Sequence, residues 1–398
     1  MNRIFCRAFQ LGMKTGNYFM PYRMPEYIEG EGSSEKLPEW IKSKGLKNVL
    51  IVTDEKILSI GIADPMLKAM EEAEIKYSVF SKIEPNPTDI DVEEGYKIFK
   101  ENGCDCIVAF GGGSPMDCAK GIGAKTAKPH KTVAQLQGLL KVLKKTPTVF
   151  AVPTTSGTGS ETTVAAVITD SKTHRKASIN DPMLIPEYAV LDPVLTVGLP
   201  PYITAITGMD ALSHAVESYT NHTYCTETEN RLAKEAVRLI YENLMKVFEN
   251  GSDLEARANM QKAALFAGRS FTRGCVGYVH AIGHTLGGLY GIPHGLAMAV
   301  LLPKVMKKYG RSAEKRLSEL AEVCGIGGAD NSEKAANFIE WIEETNEKMG
   351  LPKGFDVIRT EDIPQMIKWA SAEANPLYPV PEIWGEKEFS ELIESIRF

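Results

Sequence analysis

The sequence predicts an α/β N-terminal domain with a mostly parallel, Rossmann-like sheet over residues 1–199 and an all-helical C-terminal domain over residues 200–398. Three observations predict it. Short apolar runs alternate with helical stretches as far as about Pro200, the rhythm of βαβ units. Two of those runs lead straight into loops of small residues, Gly111-Gly-Gly-Ser-Pro-Met-Asp117 and Thr154-Thr-Ser-Gly-Thr-Gly-Ser-Glu161. Beyond Leu199-Pro200-Pro201 the strand-like runs stop, and long stretches of helical period replace them. A length of 398 residues exceeds a typical single core, which agrees with two domains.

Taken in order, the first residues, Met1 to Lys14, are basic and free of acids, with a faint likeness to an organellar presequence but none of its serines. An ordered arm packed on the first domain is the expectation. Residues 39–44 read as a helix ended by Gly45, and Asn48-Val-Leu-Ile-Val-Thr-Asp54 as a buried parallel strand. A helix over 64–73, a strand Tyr77-Ser-Val-Phe80 and a helix over 89–102 closed by Gly103 continue the alternation. Cys106-Ile-Val-Ala-Phe110 and Val149-Phe-Ala-Val-Pro153 are the third and fourth strands, and Cys104 and Cys106 read as packing residues.

The glycines at 111, 112 and 113 follow a buried strand, so backbone N–H groups there can approach a pyrophosphate closely. Ser114 and Pro115 mark the N-cap and first turn of the next helix, whose positive end then faces the phosphates. Asp117, three residues on, is expected as the carboxylate of a capping box, the alternative being a place beside the nicotinamide with the cofactor-binding set. Lys120 reads as a solvated helix residue. Two departures separate this loop from the dinucleotide fingerprint: Met116 stands where a third glycine belongs, and no acidic strand end follows about 20 residues later. The acidic strand end is upstream, at Asp54, which implies a strand order different from the usual Rossmann fold. Thr154, Thr155, Thr158 and Ser160 make a second, hydroxyl-rich loop suited to phosphate or the nicotinamide amide, or simply a turn of small residues.

The second half reads as helices over 203–219, 226–249, 253–270, 276–289, 295–309, 312–324 and 331–349. Three of the seven histidines, His280, His284 and His294, fall between Gly277 and Gly295. His280 and His284 are four apart and share a helix face, and the Gly-rich turn before His294 can fold a third imidazole back toward them. Histidines on an apolar helix are also read as satisfied core residues. A second segment shifts the balance: Asp210 and His214, in Gly208-Met-Asp-Ala-Leu-Ser-His-Ala-Val-Glu217, are again four apart. With His280 and His294 they would supply one oxygen and three nitrogens, a set for a divalent first-row metal. No cysteine belongs to it and no Cys-x-x-Cys pair occurs, which argues against a closed structural zinc site. With the loops in one half and the metal candidates in the other, a site between the domains is expected.

Composition narrows the partners. Hydrophobic residues at 43% and charged residues at 24% are ordinary for a globular protein, and a net charge of −6 without a long Lys/Arg block argues against nucleic acid. No run reaches the roughly 18 apolar residues of a membrane span. Seven scattered cysteines read as reduced thiols of a cytoplasmic protein.

Together the two loops, the Gly208–Glu217 segment and the histidine segment resemble the iron-containing (group III) alcohol dehydrogenase family, which shares a fold with glycerol dehydrogenase and dehydroquinate synthase. The resemblance runs from about residue 25 onward. It implies a dehydroquinate synthase-like fold, with Asp210, His214, His280 and His294 on the metal, normally Fe2+ with Zn2+ as a substitute. It places His284 near substrate and nicotinamide, as the catalytic residue. It places Asp54 at the adenosine ribose and Lys176 at the nicotinamide ribose of NAD, alongside Gly111, Gly112, Gly113, Ser114, Asp117, Thr154, Thr155 and Thr158. Glycerol dehydrogenases and dehydroquinate synthases lack the Asp-x-x-x-His pattern, so its presence points to the iron branch.

The expected reaction is reversible hydride transfer between a primary or secondary alcohol, or a diol, and NAD, giving aldehyde or ketone in a homodimer or larger homo-oligomer. The alternatives are an NAD-dependent hydroxy-acid or glycerol-type dehydrogenase and a dehydroquinate-synthase-like lyase. The lyase needs several basic residues for a phosphorylated acid, and only Arg269 and Arg273 stand near the helical motifs. A metal-dependent hydrolase or a nucleotide sensor needs neither the loops nor the ligand set together. Phe271, Val279 and Tyr290 are candidates for the substrate pocket.

Overall fold

The computed structural model describes residues 3–83, 85–172, 176–221 and 223–398. They form two units: Pro21–Leu199 with Ser252–Gln261, and Pro200–Gly251 with Lys262–Phe398 and the N-terminal segment as far as Met20.

In the first unit the strands are β1 (Glu26–Glu29), β2 (Asn48–Val52), β3 (Lys76–Phe80), β4 (Cys106–Gly111), β5 (Gly138–Leu139), β6 (Thr148–Pro153), β7 (Ala165–Thr169), β8 (Lys176–Asn180) and β9 (Tyr188–Leu191). Six of them make a parallel sheet in the order β1-β9-β6-β4-β2-β3, and β5, β8 and β7 make a small second sheet. Because helices cover both faces, successive residues of one strand enter different cores. Val49 and Ile51 pack with Leu37, Ile41 and Met66, while Leu50 and Val52 pack with Val92, Ile107 and Ile122. Cys104 and Cys106 are buried, and burial pushes both thiols up.

The order places a topological switch between β2 and β4: from β2 the chain passes outward to β3, and from β4 it passes the other way to β6. Ligands of open α/β sheets bind outside the carboxyl ends of the strands at such a point. Asp54, Gly111–Gly113 and the loop from Thr154 follow β2, β4 and β6, three adjacent strands.

The second unit is helical. Pro201–Asn221, Glu227–Glu249, Leu254–Gly274 (whose part as far as Gln261 belongs to the first unit), Tyr278–Tyr290, His294–Tyr309, Arg311–Val323 and Asn331–Lys348 lie close to the expected ranges, and Ile363–Ala374 and Glu386–Glu394 add two helices the sequence reading did not anticipate. Pro201–Asn221 is apolar on nearly every side, and all its residues from Gly208 onward are buried.

The N-terminal arm corrects an expectation. It is a helix, Arg3–Tyr18, that belongs with the helical unit rather than with the first domain. Its inward residues are Cys6 and Gln10, at 0% and 1% exposure. The Gln10 amide donates to the carbonyls of Pro376 (3.1 Å) and Tyr378 (2.8 Å), and the Arg7 guanidinium donates to those of Val380 and Pro381. Carbonyls of an irregular segment need donors, and the arm supplies them.

Candidate functional site

Asp210 and His214 project from the helix Pro201–Asn221, His280 from Tyr278–Tyr290, and His294 from the first turn of His294–Tyr309. Their ligand atoms all lie within 4.8 Å of one another. Oδ1 of Asp210 is 3.3 Å from Nε2 of His294, 3.7 Å from that of His280 and 3.9 Å from that of His214. Phe271 stacks on His214 at 4.1 Å, and His214 stacks on His280 at 4.5 Å, which keeps the rings in place.

Close packing lets the helices approach. A Cβ at Gly295 would run into the Ile206 carbonyl, and one at Gly277 would stand 2.8 Å from Oε1 of Glu217. The tight turn before His294 uses Gly291 in the left-handed conformation, at φ 67°.

A divalent cation fits these residues. Three imidazole nitrogens and a carboxylate oxygen converge, and Oδ1 of Asp210 and Nε2 of His280 are buried with no hydrogen-bond partner among the described residues. Burial alone would push the Asp210 carboxyl up, but the facing histidines hold it well below the usual carboxylate range. Burial draws the His280 ring down, and Glu217 and Asp210 outweigh it, raising the ring to about 9. His294, whose side chain is 42% exposed, has its ring lowered by desolvation among its neighbours in spite of Asp210.

Glu217 is a site residue that sequence reasoning missed. It is 1% exposed, Oε2 lies 2.5 Å from Nδ1 of His280, and Oε1 accepts the Val279 N–H at 2.7 Å. A signal was available, since Asp210, His214 and Glu217 follow the i, i+4, i+7 pattern of one helix face.

His284 stands apart from the four. Its ring stacks on His294 at 5.3 Å, its side chain is 40% exposed, and Nδ1 lies 2.8 Å from Oε1 of Glu373. Of the pocket candidates, Phe271 lies on His214, Val279 is fully buried, and Tyr290 turns its hydroxyl to Asp362.

In the α/β unit, Gly111 takes a φ of 153°, and Gly112 precedes the helix Gly113–Ala127 with no side-chain cap. Ser114 is therefore not the N-cap. It lies in the first turn, and its Oγ accepts the Asn86 N–H at 3.2 Å. Nor does Asp117 close a capping box: its carboxylate accepts from Ser160 Oγ and Val167 N–H, both at 3.0 Å, and burial pushes it up. With no Ser114 cap to complete, it is drawn to the donors of the neighbouring loop and strand.

Lys120 is likewise no solvated residue. It is 1% exposed, and its ammonium donates to Ser160 Oγ (2.9 Å), Thr163 Oγ1 (2.8 Å) and the carbonyls of Thr163 and Ala165 (both 3.0 Å). Burial lowers it to about 8. It thereby fixes the hydroxyl-rich loop to the helix that starts at the glycines. The two loops also touch directly: a Cβ at Gly113 would meet the Thr158 methyl at 3.0 Å, and one at Gly112 would meet Thr155 at 3.4 Å. Thr154 is buried, while Thr155 and Thr158 are half-buried.

Asp54 caps the short helix Glu55–Ser59 by accepting the Ile57 N–H at 2.9 Å, at the carboxyl end of β2. Lys176 opens β8, and its ammonium donates to Oδ1 of Asn86 at 2.7 Å. Asn86 thus joins Lys176 to Ser114.

Comparison with known proteins agrees over nearly the whole chain. Residues 25–193 match the family model "Iron-containing alcohol dehydrogenase", and residues 204–396 match "Fe-containing alcohol dehydrogenase family, C-terminal". A 1,3-propanediol dehydrogenase of Citrobacter freundii is 37% identical over 385 residues, 94% of this chain and 99% of that protein. An NAD-dependent methanol dehydrogenase of Bacillus methanolicus is 37% identical over 356 residues, 88% of this chain and 92% of its own. Among solved structures, a 1,3-propanediol oxidoreductase superposes with a TM-score of 0.89 at 35% identity, covering 94% of this chain and 99% of its own.

Proposed function

This chain belongs to the iron-containing alcohol dehydrogenase family, and from that premise we propose that it transfers a hydride reversibly between NAD and a primary or secondary alcohol, diols included, giving aldehyde or ketone. The observation that carries the proposal is the convergence of Asp210, His214, His280 and His294 within 4.8 Å. These residues would hold Fe2+, with Zn2+ as a competent occupant of the same donor set. When bound, the ion acts as a Lewis acid that lowers the pKa of an alcohol and polarises a carbonyl.

The chain's own residues divide the remaining tasks. His284, half-exposed and outside the cluster, is assigned to moving the hydroxyl proton. The backbone N–H groups at Gly112, Gly113 and Ser114 open the helix Gly113–Ala127 and offer its positive end to the pyrophosphate. Thr155 and Thr158 border that site, Asp54 accepts from the adenosine ribose, and Lys176 contacts the nicotinamide ribose. Asp117, although counted above with the cofactor-binding residues, serves with Lys120 to hold the hydroxyl-rich loop in shape. No helix among the described residues is long and apolar enough to cross a membrane.

A panel of short primary alcohols, secondary alcohols, diols and hydroxy acids, followed by the absorbance of reduced nicotinamide, tests the reaction class. Turnover of alcohols or diols supports it. Turnover confined to hydroxy acids, or none with any of them, overturns it.

A further inference from the structure

His284 has a partner that nothing above employs. Glu373, near the end of the helix Ile363–Ala374, places Oε1 2.8 Å from Nδ1 of His284, and the same oxygen accepts the Tyr378 hydroxyl at 3.1 Å. We infer that Glu373 is a positioning residue that fixes the orientation and tautomer of His284. The inference rests on the assignment of His284 as the residue that moves the hydroxyl proton.

Packing alone does not hold this ring. Its side chain is 40% exposed, in contrast to the 3% of His280 four residues earlier. An imidazole with one open side has two ring orientations and two tautomers available unless a hydrogen bond selects among them. A carboxylate oxygen offers lone pairs, so the proton between the two groups belongs to the ring, on Nδ1. In the neutral ring Nε2 then carries the lone pair, the form needed to take a proton from an alcohol.

The carboxylate is itself held from behind. Tyr378 is tethered through its backbone carbonyl to the buried Gln10 amide (2.8 Å), which also binds the Pro376 carbonyl (3.1 Å). Tyr224 donates its hydroxyl to the Leu377 carbonyl between them at 2.9 Å. The segment that presents Tyr378 to Glu373 is therefore braced by two side chains, one of them from the N-terminal helix.

The test is a double-mutant cycle on metal-loaded enzyme, with Glu373→Ala and Glu373→Gln each made alone and with His284→Ala. Glu373→Ala is expected to lower kcat about tenfold to a hundredfold, with metal content and the KM for NAD unchanged. Glu373→Gln, which keeps a neutral acceptor, is expected to recover part of that loss. In the His284→Ala background, Glu373→Ala should cost less than about twofold further. Full additivity in the cycle, or loss of metal from Glu373→Ala, overturns the inference.

Histidine-selective nitrogen NMR of the zinc-loaded protein gives a readout independent of turnover. The inference requires an Nδ1-protonated His284 in the wild type and a mixture of tautomers in Glu373→Ala, and identical His284 signals in the two overturn it. Full kcat in His284→Ala alone would remove the role assigned to that histidine, and the NMR comparison would still decide the positioning.

Discussion

Glu217 holds His280 by its far side: Oε2 is 2.5 Å from Nδ1, which turns Nε2 of the same ring toward Oδ1 of Asp210, 3.7 Å away. A carboxylate behind a metal-binding imidazole fixes its tautomer and raises its basicity. Glu217→Gln should therefore weaken metal binding by about tenfold to a hundredfold while leaving the four proposed ligands in place. Competition against a chelator of known affinity measures this directly, and an unchanged dissociation constant would remove Glu217 from the centre.

The two histidines four residues apart should fail in different ways. His280→Ala takes away a proposed ligand, so metal content and activity should fall together. His284→Ala should retain the metal and lose mainly kcat, by about a hundredfold. Elemental analysis beside steady-state rates separates the two, and metal loss from His284→Ala would mean that the roles are exchanged.

Spacing made the ligand candidates legible, because residues four apart on a helix must share a face. It did not choose between His280 and His284. That choice depends on which ring faces Asp210 and which faces Glu373, a property of tertiary packing. By its charge Lys120 reads as solvated, although its neighbours, Ala119, Gly121, Ile122 and Gly123, are all small or apolar, and Gly121 packs against Val92 and Ile168. A helix apolar all round is buried all round, and a lysine within it must find acceptors inside. β1 and β9 are not legible in the sequence because each is four residues long and their pairing, Glu26 with Tyr188, joins distant parts of the chain. Ser114 and Asp117 fit a capping box by spacing alone, and only the structure shows them engaged with Asn86 and Ser160 instead.

Glu161, 2% exposed at the end of the hydroxyl-rich loop, should give stability a distinct pH dependence. Burial pushes its carboxyl from 4.5 up to about 7, against the pull of Lys120. Between those values the folded protein retains a proton that the unfolded chain has released. This contribution is therefore fully present below the unfolded value and is lost as pH rises through the folded one. Glu161→Gln lacks the titration. Its unfolding free energy should gain on that of the wild type by on the order of 1 to 3 kcal/mol between about pH 5 and pH 8, measured by urea denaturation. Parallel curves for the two proteins would show that this carboxyl titrates normally.

Asp54 should decide the choice between NAD and NADP. A 2′-phosphate set against a carboxylate at the end of β2 meets repulsion and loses a ribose hydrogen bond, on the order of 1 to 3 kcal/mol. Asp54→Gly should raise NADP efficiency relative to NAD by roughly tenfold to a hundredfold. The lost cap on Ile57 should cost only a few tenths of a kcal/mol, since glycine is a tolerable N-cap. A wild type that already prefers NADP, or an unchanged ratio in the variant, would show that Asp54 does not read the ribose.

The central claim is that a metal held by Asp210, His214, His280 and His294 makes this chain an NAD-linked alcohol dehydrogenase. Its most direct test is the rate of NAD reduction by a primary alcohol or diol, measured on one preparation before chelation, after chelation, and after anaerobic return of Fe2+. The account predicts turnover, its loss, and its recovery in proportion to bound iron, with Asp210→Ala failing to recover. Full activity in the metal-free protein would contradict it.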